Sequence, residues 1–162
     1  MEIERKFLID WDQINSLHLP LVRQAQSWQG YLSAATPVVR IRTRQFSDGD
    51  TDYILCIKGK GKLARQEIEK ELTEQEFEAL KSLLPIPMIF KDYRVFELED
   101  GHLLECSLVD NRFAYAEVEF DSVEEANAFV MPPFLLKDVT EDPYYSMSGY
   151  WRRKQITVSF EL

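Results

Sequence analysis

The chain has 162 residues, of which 45% are hydrophobic and 29% charged, a composition typical of a globular protein. At this length we expect a single domain over 1–162, with enough apolar side chains to bury a substantial core. The 28 acidic and 19 basic residues give a net charge of −9, which argues against non-specific binding to nucleic acid or to anionic membranes.

Hydropathy and cysteine usage predict where the protein works. No apolar run approaches the roughly 20 residues of a membrane helix, and no signal-peptide core follows the charged N-terminus. We therefore expect a cytoplasmic protein with no membrane partner. Cys56 and Cys106 lack metal-ligand spacing, so the sequence favours two small buried hydrophobes in a reducing compartment, although a disulfide between them stays open.

The first predicted strand, 2–9, carries three charged side chains on one face. Glu2, Glu4 and Lys6 alternate with Ile3, Arg5 and Phe7, and side chains two apart share a face of a strand. Two carboxylates and an ammonium on one ordered face require water and counter-charges around them. This pattern predicts a wet cavity, and a divalent metal with a polyanion would satisfy it.

Further strands are predicted at 26–33, 37–45, 52–58, 65–72, 89–98, 102–109 and 114–121, separated mostly by turn residues. Several also carry charge on one face. One strand places three cations on the same side, Arg40, Arg42 and Arg44. The residues that share a side on the other strands are Lys58 with Cys56, Arg65 with Glu67 and Glu69, and Glu117 with Glu119. Faces solvated by bulk water would explain each strand singly. Clustering by sign favours the cavity instead, since acidic pairs lie on the first and eighth strands and cations between them.

Helices are predicted at 10–17, 73–84 and 122–129. The last two begin with Thr73-x-x-Glu76 and Ser122-x-x-Glu125, the pattern of a capping box. The aromatic and basic tail over 144–154 predicts another helix, followed by a strand at Gln155–Phe160. Many antiparallel strands with few helices predict a β-dominated α+β fold, an eight-stranded antiparallel barrel that is closed or nearly closed and flanked by helices.

The order of the motifs resembles that of the CYTH family, the triphosphate tunnel metalloenzymes. The chain reads, in order, Glu2-Ile3-Glu4-Arg5-Lys6, Gln29-Gly30-Tyr31-Leu32, Arg40-Ile41-Arg42, Ile57-Lys58, Arg65-Gln66-Glu67-Ile68-Glu69, Ala116-Glu117-Val118-Glu119 and Val139-Thr140-Glu141-Asp142. Each motif is short, but together they cover nearly the whole chain.

This resemblance implies a tunnel that grips a triphosphate and a divalent metal. It assigns substrate binding to Lys6, Arg40, Arg42, Lys58, Arg65 and Arg94. It assigns Mg²⁺ or Mn²⁺ binding to Glu2, Glu4, Glu105, Glu117 and Glu119, and activation of the attacking water to Lys91. Guanidinium and ammonium groups suit phosphate oxygens, and carboxylates suit a hard cation. Each residue, taken alone, could instead form a structural ion pair.

Two positions depart from the family pattern. Where the family has K-x-R and E-x-D, this chain has Lys91-Asp92-Tyr93-Arg94 and Glu105-Cys106-Ser107. Strict alternation turns Arg94 away from Lys91, whereas a β-bulge within 92–94 would return it to the same side. Ser107 stands where the family has an acidic ligand. The sequence therefore leaves open whether a second metal binds and whether the protein is fully active.

The resemblance implies a metal-dependent hydrolase of triphosphates, with inorganic tripolyphosphate as the preferred substrate and nucleoside or thiamine triphosphate as competitors. Class IV-type adenylate cyclase activity is an alternative within the family. The alternative that is not an enzyme is a module that binds polyphosphate without catalysis. It is motivated by Tyr93 and Ser107, which stand where the family has charged residues. The partners we expect are a small triphosphate or short polyphosphate; the oligomeric state stays open, a homodimer included.

Overall fold

A computed structural model describes residues 1–161, and ten strands and four α-helices are present among them. The strands are β1 (Glu2–Ile9), β2 (Leu21–Ser33), β3 (Val38–Phe46), β4 (Thr51–Lys58), β5 (Ala64–Arg65), β6 (Glu67–Glu71), β7 (Ile89–Glu97), β8 (Leu103–Val109), β9 (Phe113–Glu119) and β10 (Lys137–Asp138). The helices are α1 (Trp11–Ser16), α2 (Glu74–Lys81), α3 (Val123–Ala128) and α4 (Met147–Glu161), with a 3-10 turn at Pro143–Tyr145.

The strands form a nearly closed antiparallel barrel. The sheet runs β10-β1-β9-β8-β7-β2-β3-β4-β6, and β5 pairs with β1. Only Gln66 separates β5 from β6, so together they act as one bent strand that joins β4 to β1. This seam is short, with Glu2 opposite Arg65 and Ile3 opposite Ala64. The predicted barrel of eight strands is therefore confirmed, with one strand divided in two and β10 added at the outer edge.

The main hydrophobic core lies on the outside of the barrel. Phe7, Cys106 and Val118 are fully buried members of a cluster that packs beneath α1, α3 and the loop reaching Leu135. Because side chains alternate along a strand, burying this outer face turns the charged face of each strand inward. The charged and apolar residues therefore alternate along each strand because the apolar ones pack beneath the helices and loops outside the barrel.

The predicted helix starts are largely confirmed. Thr73 and Glu76 form a complete capping box, with side-chain to backbone bonds of 3.0 and 2.9 Å. At α3 the hydroxyl of Ser122 accepts from the backbone of Glu125, 3.0 Å away. The Glu125 carboxylate bonds instead to the amide of Asp121 and to a side chain of the β7–β8 hairpin. Both helices are shorter than predicted.

The strand predicted at Gln155–Phe160 is wrong, because α4 continues without a break to Glu161. Its start is anchored by Trp151, which is fully buried across one end of the barrel with Tyr150. Val158 lies seven residues further and packs against the same cluster, the spacing of one helix face. Tertiary packing thus overrides the strand preference of the β-branched residues.

Gly30 permits this close packing of α4 on the barrel. A Cβ atom at position 30 would lie 2.5 Å from a methyl carbon of Leu84 and 3.2 Å from the Trp151 ring.

No helix in the described part of the chain is long and apolar enough to cross a bilayer.

Candidate active site

The inside of the barrel is a polar cavity of about 300 Å³, lined by side chains from every strand of the closed ring. Eleven of the twelve residues assigned to the site from the sequence line it: Glu2, Glu4, Lys6, Arg40, Arg42, Lys58, Arg65, Lys91, Glu105, Glu117 and Glu119. Strand alternation therefore places nearly the whole predicted set in one chamber.

Arg94 is the exception, because the structure places it outside the chamber. β7 and β8 pair in regular register through this region, with Tyr93 opposite Ser107 and Arg94 opposite Cys106, so no bulge shifts β7 there. Arg94 consequently points to the outer wall, where it donates to Asn15 at 2.7 Å and lies over the Trp11 ring.

Two arginines from β3 lie half-buried in the chamber without an anionic partner. The Nε atoms of Arg40 and Arg42 have no hydrogen-bond acceptor, and in the described residues no carboxylate lies within salt-bridge distance of either side chain. Burial, together with the neighbouring Arg40 and Arg44, lowers the pKa of Arg42 to about 10. Half-buried cations without a carboxylate partner have lost part of their hydration, so this region favours an incoming anion.

The other two predicted cations of this wall already have a carboxylate. Lys58 Nζ lies 3.0 Å from Glu2, and Arg65 Nε lies 3.4 Å from the same oxygen. Burial raises the pKa of Glu2, but the ammonium of Lys58 and the contact with Glu67 together outweigh that effect and hold the pKa below its ordinary value. Any phosphate that binds Lys58 therefore competes with Glu2 or shares the cation with it.

Three carboxylates converge beside this ion pair. Oxygens of Glu2, Glu4 and Glu119 all lie within 4.8 Å of one another. Burial, followed by repulsion from Glu117, raises the pKa of Glu4 well above its ordinary value. A hard divalent cation takes carboxylate oxygens at about 2.0–2.6 Å and would relieve this repulsion, so the donor set fits Mg²⁺ or Mn²⁺.

Glu117 and Glu105 line the chamber outside this three-carboxylate group. Burial raises the pKa of Glu117, but contacts with Glu4 and Lys6 more than offset that effect and lower it. Glu105 accepts a hydrogen bond from the hydroxyl of Tyr93 at 2.5 Å. Burial raises the pKa of Glu105 to about 7, with Glu117 adding to the shift and the hydrogen bond opposing it.

Lys91 and Lys6 meet at the end of the chamber that α4 covers. Lys91 is only 7% exposed, and its Nζ donates to the hydroxyl of Tyr115. Burial lowers the pKa of Lys91 well below its ordinary value; Glu117 opposes this, while Arg40 and Lys6 add to it. Lys6 Nζ donates to the backbone carbonyl of Tyr145 at 3.0 Å and lies 4.3 Å from the Tyr115 ring centre.

Several lining residues were not assigned a role from the sequence. They are Ser27, Gln29, Tyr31, Val38, Arg44, Cys56, Glu67, Glu69, Tyr93, Ser107, Tyr115 and the segment 146–148. Strand parity alone could have found most of them, since Tyr115 shares a face with Glu117 and Glu119. Segment 146–148 had no such signal, because it reaches the chamber only through the packing of α4.

Both cysteines are buried and free, as the sequence favoured, but their surroundings differ. Cys106 belongs to the outer core, whereas Cys56 faces the chamber and lies 3.3 Å from a carboxylate oxygen of Glu67.

Comparison with known proteins places this barrel among proteins of known activity. The chain is 35% identical over 147 residues to an inorganic triphosphatase of Nitrosomonas europaea, covering 89% of this chain and 92% of that protein. The crystal structure of the inorganic triphosphatase NE1496 superposes with a TM-score of 0.60 at 28% identity, over 93% of each chain. A search against protein-family models gave no match.

Two more distant structures share the fold alone. The Hippeastrum protein HpAC1, a putative adenylyl cyclase with a dominant triphosphatase activity, has a TM-score of 0.59 at 18% identity, over 78% of this chain and 83% of that one. The PH1819 protein of Pyrococcus horikoshii has a TM-score of 0.61 at 22% identity, over 78% and 82%.

A nearly closed antiparallel barrel with acidic and basic side chains turned inward defines the class of triphosphate tunnel proteins. Within that class, the chain belongs to the CYTH family.

Proposed function

We propose that this protein is a metal-dependent triphosphatase with inorganic tripolyphosphate as its preferred substrate. The observation that carries the proposal is a pair of half-buried arginines, Arg40 and Arg42, that line the chamber with buried Nε atoms and no anion of their own. A phosphate chain supplies several oxygens along a line, which guanidinium groups bind in a fixed geometry. The relative that is named an inorganic triphosphatase supports the same substrate.

The substrate would lie between the β3 arginines and the β1 carboxylates. Arg40 and Arg42 bind its oxygens first, because they have no competing anion. Lys58 and Arg65 then add their charge from the Glu2 ion pair. These fixed cations stabilise the negative charge that develops on the transferred phosphoryl group and on the leaving oxygen.

Glu2, Glu4 and Glu119 would hold the metal, and Mg²⁺ and Mn²⁺ both suit their oxygens. A divalent ion bound there supplies positive charge to the phosphate oxygens and polarises the bond to be cleaved.

Lys91 would accept the proton of the attacking water. An amine serves as a base only when it is uncharged, and burial among Arg40, Lys6 and Arg42 lowers the pKa of Lys91 toward that state. Attack of water on a terminal phosphorus would thus cleave tripolyphosphate into phosphate and pyrophosphate.

The test is phosphate release by the purified chain from tripolyphosphate, ATP and thiamine triphosphate, each with Mg²⁺ and with Mn²⁺. We expect the highest kcat/KM with tripolyphosphate and no turnover when the metal is chelated. Tight binding in calorimetry without phosphate release would make the protein a binding module instead, and cyclic AMP formed from ATP would make it a cyclase.

Glu4→Gln tests the metal site within that assay. We expect kcat/KM to fall at least about a hundredfold, because the variant removes one carboxylate from the group that holds the cation. The stabilisation that Mg²⁺ gives to wild type in thermal unfolding should shrink as well. Glu97→Gln is the matched control, since Glu97 is exposed at the end of β7. Full activity in Glu4→Gln would contradict the metal assignment.

Four properties stay predictions from the sequence: a single domain, a cytoplasmic location, a possible homodimer and the lack of nucleic-acid binding. Size-exclusion chromatography with light scattering would decide the oligomeric state.

A further inference from the structure

Tyr115 occupies the centre of the covered end of the tunnel. Its side chain is 2% exposed, and its hydroxyl lies 2.5 Å from Lys91 Nζ. Ser107 stands opposite Tyr115 in the β8–β9 ladder. Burial raises the pKa of the Tyr115 phenol well above its ordinary value, and the nearby Ser107 hydroxyl opposes that shift. Lys6 lies over the ring face. The hydrogen bond to Lys91 therefore fixes the phenol oxygen.

Lys91 depends on this contact for its position. In the described residues, no carboxylate lies within salt-bridge distance of its Nζ, and the hydrogen bond to Tyr115 is its one side-chain partner. A lysine carries four flexible methylene groups, so an unanchored ammonium samples many positions. Tyr31 also lines the chamber, but its hydroxyl accepts from Gln29 at 3.1 Å and is engaged elsewhere.

We propose that Tyr115 is a positioning residue that holds the amine of Lys91 toward the water that attacks the substrate. This inference rests on the proposed triphosphatase function. A general base acts only within hydrogen-bond distance of the proton it accepts, and small displacements are costly in rate. The contribution of Tyr115 therefore belongs to kcat, whereas the arginines of β3 determine KM.

Tyr115→Phe is the direct test, because it keeps the ring beneath Lys6 and removes only the hydroxyl. With tripolyphosphate and Mg²⁺, we expect kcat to fall about tenfold or more and KM to stay within about twofold. The control is Tyr150→Phe, another buried tyrosine, whose hydroxyl donates to Asp110 outside the chamber. That variant should keep both kinetic constants.

A double-mutant cycle separates positioning from general damage to the barrel. Lys91→Ala should itself lose most of kcat, and adding Tyr115→Phe to it should cost nothing further, since the two residues act as one unit. Ser107→Ala gives a second route if Tyr115→Phe folds poorly. It removes a polar neighbour of the hydroxyl, so we expect a twofold to fivefold loss of kcat, roughly, that also vanishes in the Lys91→Ala background.

Two results would overturn this inference: an unchanged kcat in Tyr115→Phe, or a full further loss of kcat when Tyr115→Phe is added to Lys91→Ala. In either case, turnover by the wild type would leave the proposed function intact. If wild type releases no phosphate from any of the triphosphates, both are wrong.

Discussion

At the scale of single residues, two arginines show how an unpartnered charge indicates a ligand. Arg23 on the outer surface pairs with Asp48 and Asp50, whereas Arg40 and Arg42 lie half-buried without such partners. Withdrawing an unpaired cation from water costs free energy of folding, and a bound anion would offset that cost.

Arg42→Gln should therefore weaken the substrate complex without destabilising the free protein. Removing a cation that lies beside Arg40 and Arg44 relieves repulsion, so we expect the Tm of the ligand-free variant to match or exceed that of wild type. The KM for tripolyphosphate should rise about tenfold or more, because a charge-assisted contact to phosphate is lost.

Arg23→Gln serves as the control for that variant and should leave KM unchanged. A fall in the Tm of Arg42→Gln by several degrees with unchanged KM would instead assign Arg42 a structural role.

Most residues of the site could be predicted because strand parity depends only on spacing. Glu2 with Glu4, and Arg40 with Arg42, fall on one face whatever the neighbouring strands do. Arg94 depended on whether β7 contains a bulge, and spacing alone does not decide that. Tyr115 lies on the same face as Glu117 and Glu119, but its contact with Lys91, 24 positions away in the chain, could not be predicted from spacing.

At the scale of elements, Trp151 is the largest side chain that α4 buries against the barrel. It is 1% exposed and packs against Tyr31 with ring centres 5.9 Å apart. Trp151→Ala should lower the free energy of unfolding by about 3–5 kcal/mol, because the cavity left at the end of the barrel has no neighbour to fill it.

Urea unfolding of Trp151→Ala measures this loss directly. Ile156→Ala on the same helix is the control, since Ile156 is 57% exposed and should cost less than about 0.5 kcal/mol. Equal losses in the two variants would mean that α4 does not seal the barrel through Trp151.

The β7–β8 hairpin is joined to α3 by a histidine. His102 lies 2.8 Å from Asp100 and 2.6 Å from Glu125, and its ring packs against Phe120. The hydrogen bond with Asp100, followed by that with Glu125, raises the pKa of His102 above 6.5, and partial burial opposes the shift.

This raised pKa predicts a pH-dependent loss of stability in His102→Gln. Stability from a raised histidine pKa is fully present below the unfolded value and is lost as pH rises through the folded value. The variant should therefore lose more free energy of unfolding at about pH 5.5 than at about pH 8.5. The difference should be about 1 kcal/mol or less, because these groups are partly exposed. A loss that is equal at both values would contradict the assignment.

Element types were also largely predictable, and their ends were not. The barrel strands follow from alternation and turn residues, and Thr73 and Ser122 mark helix starts by local chemistry. The tail 155–161 is helical because Val158 packs against the cluster around Trp151, a long-range contact that local β-branched composition does not reveal.

At the scale of the whole molecule, the barrel divides its residues between two environments. Apolar side chains face outward beneath helices, and the seven acidic and seven basic side chains of the chamber face inward. The net charge of −9 therefore does not extend to the chamber, where acidic and basic side chains are equal in number and Arg40 and Arg42 have no carboxylate partner to compete with a polyanion.

The central claim is that one tunnel binds both the phosphate chain and its metal. The most direct measurement is a crystal structure of the Lys91→Ala variant with tripolyphosphate and Mg²⁺. We predict phosphate density inside the barrel against Arg40 and Arg42, with a metal ion among Glu2, Glu4 and Glu119. Tripolyphosphate bound to the outer wall, with the tunnel filled only by water, would contradict the account.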